Sequence, residues 1–316
     1  MGDSFMDKRS RIYLAGHTGL VGSAVHRTLV QEGYSNVITR PHAELDLIRQ
    51  SDVERFFKEE TPEYVILAAA KVGGIHANST HPAQFIFENL SIQNNVIHAS
   101  YLSGVKKLLF PGSACSYPRE CPQPIKEEYL LTGPLEPTNE PYAVAKIAGI
   151  KLCQAYNRQY GTNFICAVPT NAYGPNDNFD PEDSHVISAL LKKFHEARIT
   201  GAAEVTVWGT GSPLRDFIYA DDLANALLFL LKDYEGSEII NIGADSEISI
   251  RELASMIKKI VGFHGPIRFD NSKPDGAPRK TLDKTKLFCL GWRPEFSLSE
   301  GLEMTYQWFL KNHPNT

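Results

Sequence analysis

The chain has 316 residues, 42% of them hydrophobic and 22% charged, with a formal net charge of −5. That length allows a large core in one or two domains, and that composition excludes a disordered or fibrous chain. The mildly acidic balance offers no basic field to draw nucleic acid or an anionic membrane, so a polyanionic ligand must be held by a few local cations. The longest apolar runs, such as residues 226–231, fall far short of the roughly 20 residues of a membrane span. Residues 1–10 hold no apolar segment of signal-peptide type, and Met6 stands where a myristoylation signal needs Ser or Thr. The five cysteines, at 115, 121, 153, 166 and 289, include no C-x-x-C pair. Such an odd, scattered set fits a reducing cytoplasm, with most of them buried as small hydrophobes, and no metal site is expected.

Strand-like and helix-like segments alternate through the first half. Residues 11–15 read as a strand and 23–33 as a helix. A second strand follows at 36–39, then a helix at 51–60 with Ser51 as its cap, and a buried strand at 64–70. A long helix at 85–104, a strand at 107–113, a helix from about 141 to 160 and a strand at 164–170 complete the series. The alternation predicts an α/β fold of Rossmann type, a doubly wound parallel sheet with helices on both faces. Residues 174–185 form a polar loop rich in Pro, Asn and Asp, longer than a plain connection needs. A helix at 186–200, a short strand at 205–209 and helices near 221–232 and 249–261 come after it. The expected division is a dinucleotide-binding domain over 1–174, completed by segments near 210–245, and a smaller domain, mainly 175–316, for the substrate.

Gly16, Gly19 and Gly22 directly follow the first strand and open the first helix. Glycines there permit a tight turn and close approach of backbone to phosphate, and a helix N-terminus attracts negative charge. The spacing is G-x-x-G-x-x-G, in the position of a dinucleotide loop. An acidic residue at the end of the next strand would grip a free ribose 2′-hydroxyl, as in NAD. The strand instead ends Thr39, Arg40, Pro41, His42. A cation at that place favours a 2′-phosphate, hence NADP, unless Arg40 is simply a solvated strand-end residue. Asp46 follows and can accept a hydrogen bond from the adenine amino group.

The segment "EPYAVAKIAGIK" (140–151) puts Tyr142 and Lys146 four residues apart, on one face of a helix whose first turn Pro141 suits. A tyrosine with its ordinary pKa of about 10 does little acid–base work at neutral pH, and a lysine beside it would lower that value. The same spacing also suits an ordinary helix surface. Ser113 ends the strand at 107–113, 29 residues before Tyr142, where a parallel sheet opens its ligand crevice. A hydroxyl there can bind a substrate carbonyl beside the phenol.

Glycine loop, strand-end Ser, Tyr and Lys, in that order, resemble the extended, nucleotide-sugar-modifying short-chain dehydrogenase/reductases. The stretches "LAAAKVGGIHAN", "EPTNEPYAVAKIAGIKLC", "PTNAYGPNDNF", "VWGTGSPLRDF" and "SKPDGAPRK" narrow the likeness to the GDP-L-fucose synthase family, over residues 11–312. The resemblance implies conversion of GDP-4-keto-6-deoxy-D-mannose to GDP-L-fucose, by epimerisation at C3 and C5 and then reduction at C4 by NADPH. It implies a Rossmann domain with a C-terminal substrate domain, a homodimer, and a GDP-sugar as substrate. Residue by residue, it assigns Ser113, Tyr142 and Lys146 to the reduction, Cys115 and His185 to the epimerisation, and Arg215 to substrate binding. The cofactor wall is expected from Gly16, Gly19, Leu20, Val21, Gly22, Arg40 and Asp46, from the strand ends Leu67, Ala68, Ala69, Pro169 and Asn171, and from Tyr142, Lys146 and His185. Lys193, Trp208, Arg279 and Lys280 are further candidates for the substrate side, against the plain readings of a core tryptophan and a solvated loop.

The chain departs from the family at Thr18, where an arginine is frequent, and at Ala114 and Ser116 beside the catalytic Ser and Cys. If residues 113–115 are extended, Ser113 and Cys115 point to the same side, toward one sugar. A lone cysteine can equally be a buried hydrophobe; the resemblance makes Cys115 a base. Dehydratases of the same branch carry an Asp-Glu pair beside the catalytic hydroxyl, and "GSACSYP" has none. A relative acting on another GDP-4-keto sugar, as in colitose formation, and a non-catalytic dinucleotide sensor are the other readings. The homodimer is expected on the helices near 85–103 and 141–160, whose apolar residues, such as Ile86, Phe87, Leu90 and Val96, exceed one narrow stripe.

Overall fold

The computed structural model describes residues 6–313 apart from 181–183, 246 and 274. A six-stranded parallel sheet forms its centre. In chain order the first part runs β1 (Ile12–Ala15), α1 (Leu20–Gln31), β2 (Val37–Ile38), α2 (Gln50–Glu60), β3 (Tyr64–Leu67), α3 (Ile75–Thr80), α4 (Pro82–Leu102), β4 (Lys107–Pro111), α5 (Glu140–Tyr160), β5 (Phe164–Pro169) and β6 (Asn171–Tyr173). The second part runs α6 (Val186–Thr200), β7 (Val205–Trp208), β8 (Leu214–Tyr219), α7 (Ala220–Asp233), β9 (Ile240–Ile242), β10 (Glu247–Ser249), α8 (Ile250–Val261), β11 (Ile267–Asp270), β12 (Arg279–Lys280), α9 (Thr285–Cys289) and α10 (Leu298–Asn312).

The strand order is β2-β1-β3-β4-β5-β9. The chain leaves β1 toward one edge and returns to its other side, so the topology switches between β1 and β3, where ligands of such sheets bind beyond the strand ends. Buried on both faces, β1, β4 and β5 are almost wholly apolar. Helices α2, α4 and α5 cover one face and α1 and α7 the other. Both α7 and β9, from beyond residue 175, belong to this layer. Gly149 of α5 lets the helix lie against β4, because a Cβ there would meet the Phe110 ring at 2.4 Å. That contact fixes the height of α5 over the sheet, and with it Tyr142 and Lys146.

A separate apolar cluster joins α6, α8 and α10 to β7 and β8. Strand β8 pairs with β10 antiparallel and with β12 and β6 parallel, while β11 pairs with β7. Capping boxes start α8 at Ser249 and α10 at Ser297.

Several expectations need correction. The helix expected at 85–104 starts three residues earlier, at Pro82, directly after the short α3, and ends at Leu102. Ser51 does not cap α2; Arg49 holds the N-cap position without a side-chain bond. The strand at 64–70 stops at Leu67. Only Cys153 and Cys166 are buried; Cys115 and Cys121 are partly accessible, Cys289 is exposed, and all five are free.

Candidate active site

Beyond the carboxyl ends of the parallel strands lies a cavity of about 720 Å³. Its wall includes every residue expected to hold the cofactor, from Gly16 to His185, together with Ser113, Cys115, Arg215, Arg279 and Lys280. Lys193 and Trp208 do not line it. Trp208 ends β7 with 67% of its surface exposed, Lys273 lying over its ring, so the plain core reading fails too.

The glycine loop is built for close approach. Gly16 has φ +83°, and a Cβ on Gly22 would lie 1.9 Å from the Gly16 carbonyl oxygen. Helix α1 starts at Gly19 with no side-chain cap, so its first N–H groups are free to meet an anion. His17 Nδ1 is buried there without a partner. An uncapped helix start, a cradle only glycine can form and an orphaned polar atom fit a dinucleotide diphosphate. In the same cavity, after β2, Arg40 forms an ion pair with Glu60 and donates to the Thr39 carbonyl at 2.8 Å. Asp46 is engaged by Arg49 at 3.5 Å and accepts the Ile48 N–H at 3.0 Å.

After β4, residues 114–116 are a 3-10 turn and not an extended strand. The expected same-side argument for Ser113 and Cys115 therefore does not hold. The turn brings them together differently: Ser113 Oγ accepts the Cys115 N–H at 3.3 Å and stands close enough to the Tyr142 phenol to affect it. Burial pushes the Tyr142 phenol well up, a negative Cys115 would push it further, and Ser113 opposes both. Lys146 is held to one side of it. The ammonium donates to the Pro111 carbonyl at 2.8 Å and sits 5.9 Å from the Tyr142 ring centre. Burial brings Lys146 down to about 8. A buried cation held by one carbonyl is poised to give up its charge, and the phenol beside it stays protonated.

His185 is the exposed N-cap residue of α6, and the nearby Asp177 hydrogen-bonds Ser188. Burial raises Asp177 and the charge of His185 opposes that rise. On the substrate side, β8 and β12 place Lys280 directly beside Arg215 in register. Neither cation has an acidic partner within salt-bridge distance among the described residues, whereas Arg279 is paired to Glu247 at 2.6 Å. Like charges side by side destabilise a sheet, so this pair suits an anion lying across both. Sequence reasoning missed Asn139, whose side chain donates to Cys115 Sγ at 3.2 Å, and Asp177. Nothing in the sequence singles out Asp177; Asn139 is visible only as a cap-type residue before Pro141.

The model of the NAD dependent epimerase/dehydratase family matches residues 12–243. The chain belongs to that family. It is 61% identical to GDP-L-fucose synthase 1 of Arabidopsis thaliana, over 98% of this chain and 96% of that one. Among solved structures, a GDP-6-OMe-4-keto-L-xylo-heptose reductase from C. jejuni superposes with a TM-score of 0.92 at 40% identity, covering 98% of this chain and 100% of that one. A GDP-L-fucose synthetase from Naegleria fowleri bound to NADP gives 0.91 at 31% identity, with 99% and 97% covered. In this epimerase/dehydratase chain the glycine cradle and the Ser113–Tyr142–Lys146 group line one cavity.

Proposed function

We propose that the chain is a GDP-L-fucose synthase, which takes GDP-4-keto-6-deoxy-D-mannose, inverts C3 and C5, and reduces C4. The observation that carries this reading is one cavity shared by a glycine cradle, the Ser113 and Tyr142 hydroxyls, Lys146 and the Cys115 thiol. The near full-length likeness to GDP-L-fucose synthase 1 selects the substrate. NADPH, when bound, supplies the hydride for C4.

The chain's own residues do the rest. The 4-keto group acidifies the C–H bonds at C3 and C5 by stabilising an enolate. At each carbon Cys115, as thiolate, takes a proton from one face and His185 returns one from the other, and proton exchange with solvent resets both groups before the second carbon is inverted. Ser113 and Tyr142 hydrogen-bond the C4 oxygen, and Tyr142 gives up its proton as that oxygen becomes a hydroxyl. Lys146, close to half-charged near pH 8, stabilises the phenolate that remains. Arg215 and Lys280 receive the diphosphate of the GDP-sugar. Arg40 meets the 2′-phosphate of the cofactor by exchanging its Glu60 partner.

Residues 1–174, with the segment near 210–245, hold the dinucleotide, and 175–316 mainly receive the sugar nucleotide. Two copies associate through α4 and α5, whose outer faces expose Phe87, Val144 and Tyr160. The protein works in the cytoplasm, in keeping with five unpaired cysteines. No helix among the described residues is long and apolar enough to cross a membrane.

The test is NADPH oxidation with GDP-4-keto-6-deoxy-D-mannose in heavy water, with the product identified by NMR. GDP-L-fucose carrying deuterium at C3 and C5 is expected, and Cys115→Ser should abolish the exchange. A reduced product still protiated at both carbons would limit the enzyme to C4 reduction.

A further inference from the structure

We infer that Asn139 is the positioning residue of Cys115, holding its sulfur as the thiolate through the side-chain N–H. The inference rests on the proposed role of Cys115 as base. Three observations carry it. Nδ2 of Asn139 donates to Cys115 Sγ at 3.2 Å. Asn139 occupies the N-cap of α5, where asparagine ordinarily accepts an N–H of the first turn, yet its side chain makes no capping bond. Its Oδ1 is buried without a partner. A cap-type residue that leaves its helix uncapped and its own oxygen unpaired costs stability, and what it gains is the contact with sulfur.

The chemistry of that contact is directional. An amide N–H donated to a thiolate is charge-assisted, and the same bond to a neutral thiol is weak. It therefore favours the ionised form, which is the nucleophile and the base. The start of α5 adds a partial positive charge in the same direction. The backbone holds the donor in place, since the Asn139 N–H bonds the Glu136 carbonyl at 3.2 Å. The charged and titratable groups sharing the cavity near Cys115 are Arg119, Glu136, Tyr142, Lys146, Asp177 and His185. Of these, the phenol of Tyr142 is coupled to the sulfur, because two negative charges there repel.

The experiment uses the full-length protein and two variants. Asn139→Asp keeps the size and puts a carboxylate oxygen where the donor was. Asn139→Ser keeps a cap-type residue but no longer reaches the sulfur. Iodoacetamide alkylation is followed for each cysteine by mass spectrometry between pH 6 and 9, with the exposed Cys289 as internal reference. At pH 7, Cys115 should be alkylated about tenfold more slowly in both variants, its profile moved to the alkaline side by about one pH unit, as expected for loss of a hydrogen bond to a charged group. Cys289 should be unchanged. Alkylation of Cys115 at the unmutated rate and with the unmutated pH profile would overturn the inference. So would faster alkylation of all five cysteines with loss of NADPH binding, which would make Asn139 a folding residue. Deuterium exchange at C3 and C5 of the keto-sugar separates the two readings. Slower alkylation with unchanged exchange would leave Asn139 in control of the sulfur and remove Cys115 as the base.

Discussion

Removing Lys280 should weaken substrate binding while slightly stabilising the free protein. Lys280 and Arg215 are register neighbours on β12 and β8, and neither has an acidic partner within salt-bridge distance among the described residues. Two adjacent like charges cost about 0.5 kcal/mol, the scale of cross-strand pair effects. Lys280→Met keeps the half-buried stem and removes the charge. Without ligand its Tm should rise by about 1 °C for a chain of this size. A charge-assisted hydrogen bond to a diphosphate oxygen contributes about 1.5–3 kcal/mol, so KM for the GDP-sugar should rise about 10- to 100-fold, with kcat changed far less. The adjacent Arg279 is the control, because its guanidinium is already held by Glu247 at 2.6 Å. Arg279→Met should leave KM within about twofold, as an exposed ion pair contributes little. The assays are steady-state kinetics, calorimetric titration with GDP, and thermal melts of the free protein. If Lys280→Met binds GDP normally, or if Arg279→Met is the more damaging change, the register pair is not the diphosphate site.

Tyr142→Phe should lower C4 reduction by about 10²- to 10⁴-fold, the range of a lost general acid, while solvent deuterium still enters C3 and C5; loss of NADPH binding in this variant would make Tyr142 structural. Arg40→Ala should raise KM for NADPH about tenfold, one charged hydrogen bond, and leave that for NADH unaffected, and an equal rise for both cofactors would count against a 2′-phosphate contact. Asp216 is fully buried with Lys284 at 3.2 Å, and burial raises it from 3.8 to about 7. Folding thus favours its protonated form, so its contribution is complete below about pH 4 and declines as pH rises to about 7, by about 4 kcal/mol at most. Asp216→Asn should therefore flatten the fall in urea stability between pH 5 and 8, and an equal difference from the unmutated protein at both pH values would refute this.

The parts of the molecule legible in the sequence are those set by local pattern. Apolar runs bounded by glycine marked β1, β4 and β5, because strands buried on both faces need no polar residue. The glycine trio marked the tight turn between β1 and α1, because a Cβ on Gly22 would lie 1.9 Å from the Gly16 carbonyl oxygen. The parts that were not legible depend on distant chain. Residues 113–115 suggested the end of a strand, yet they form a turn in which the Ser113 side chain accepts the N–H of Cys115 two residues ahead. Lys280 meets Arg215 only because a two-residue strand, 65 positions further on, pairs with β8. Trp208 is the last residue of β7, still paired with Asp270, and its residue type suggested core although its side chain is exposed. The hold on Lys146 was not legible for a related reason. Spacing shows that a lysine lies near a tyrosine, but not that the Pro111 carbonyl captures its ammonium.

The contact between the two halves of the site bears on the order of the chemistry. A negative Cys115 raises the phenol of Tyr142, on top of the rise from burial. While the sulfur is a thiolate, loss of the phenolic proton is therefore disfavoured, and hydride arriving at C4 would find an acid reluctant to act. Once Cys115 has taken a proton from carbon, its charge is gone and that penalty on the phenolate lifts. On the proposed roles, the site is set for proton abstraction first and for proton donation to the C4 oxygen second. The repulsion is mutual, so Tyr142→Phe removes a group whose ionisation would compete with the thiolate and leaves the epimerising half free to turn over. A single cavity can then run two reactions in sequence without moving a domain, through the charge of one sulfur atom.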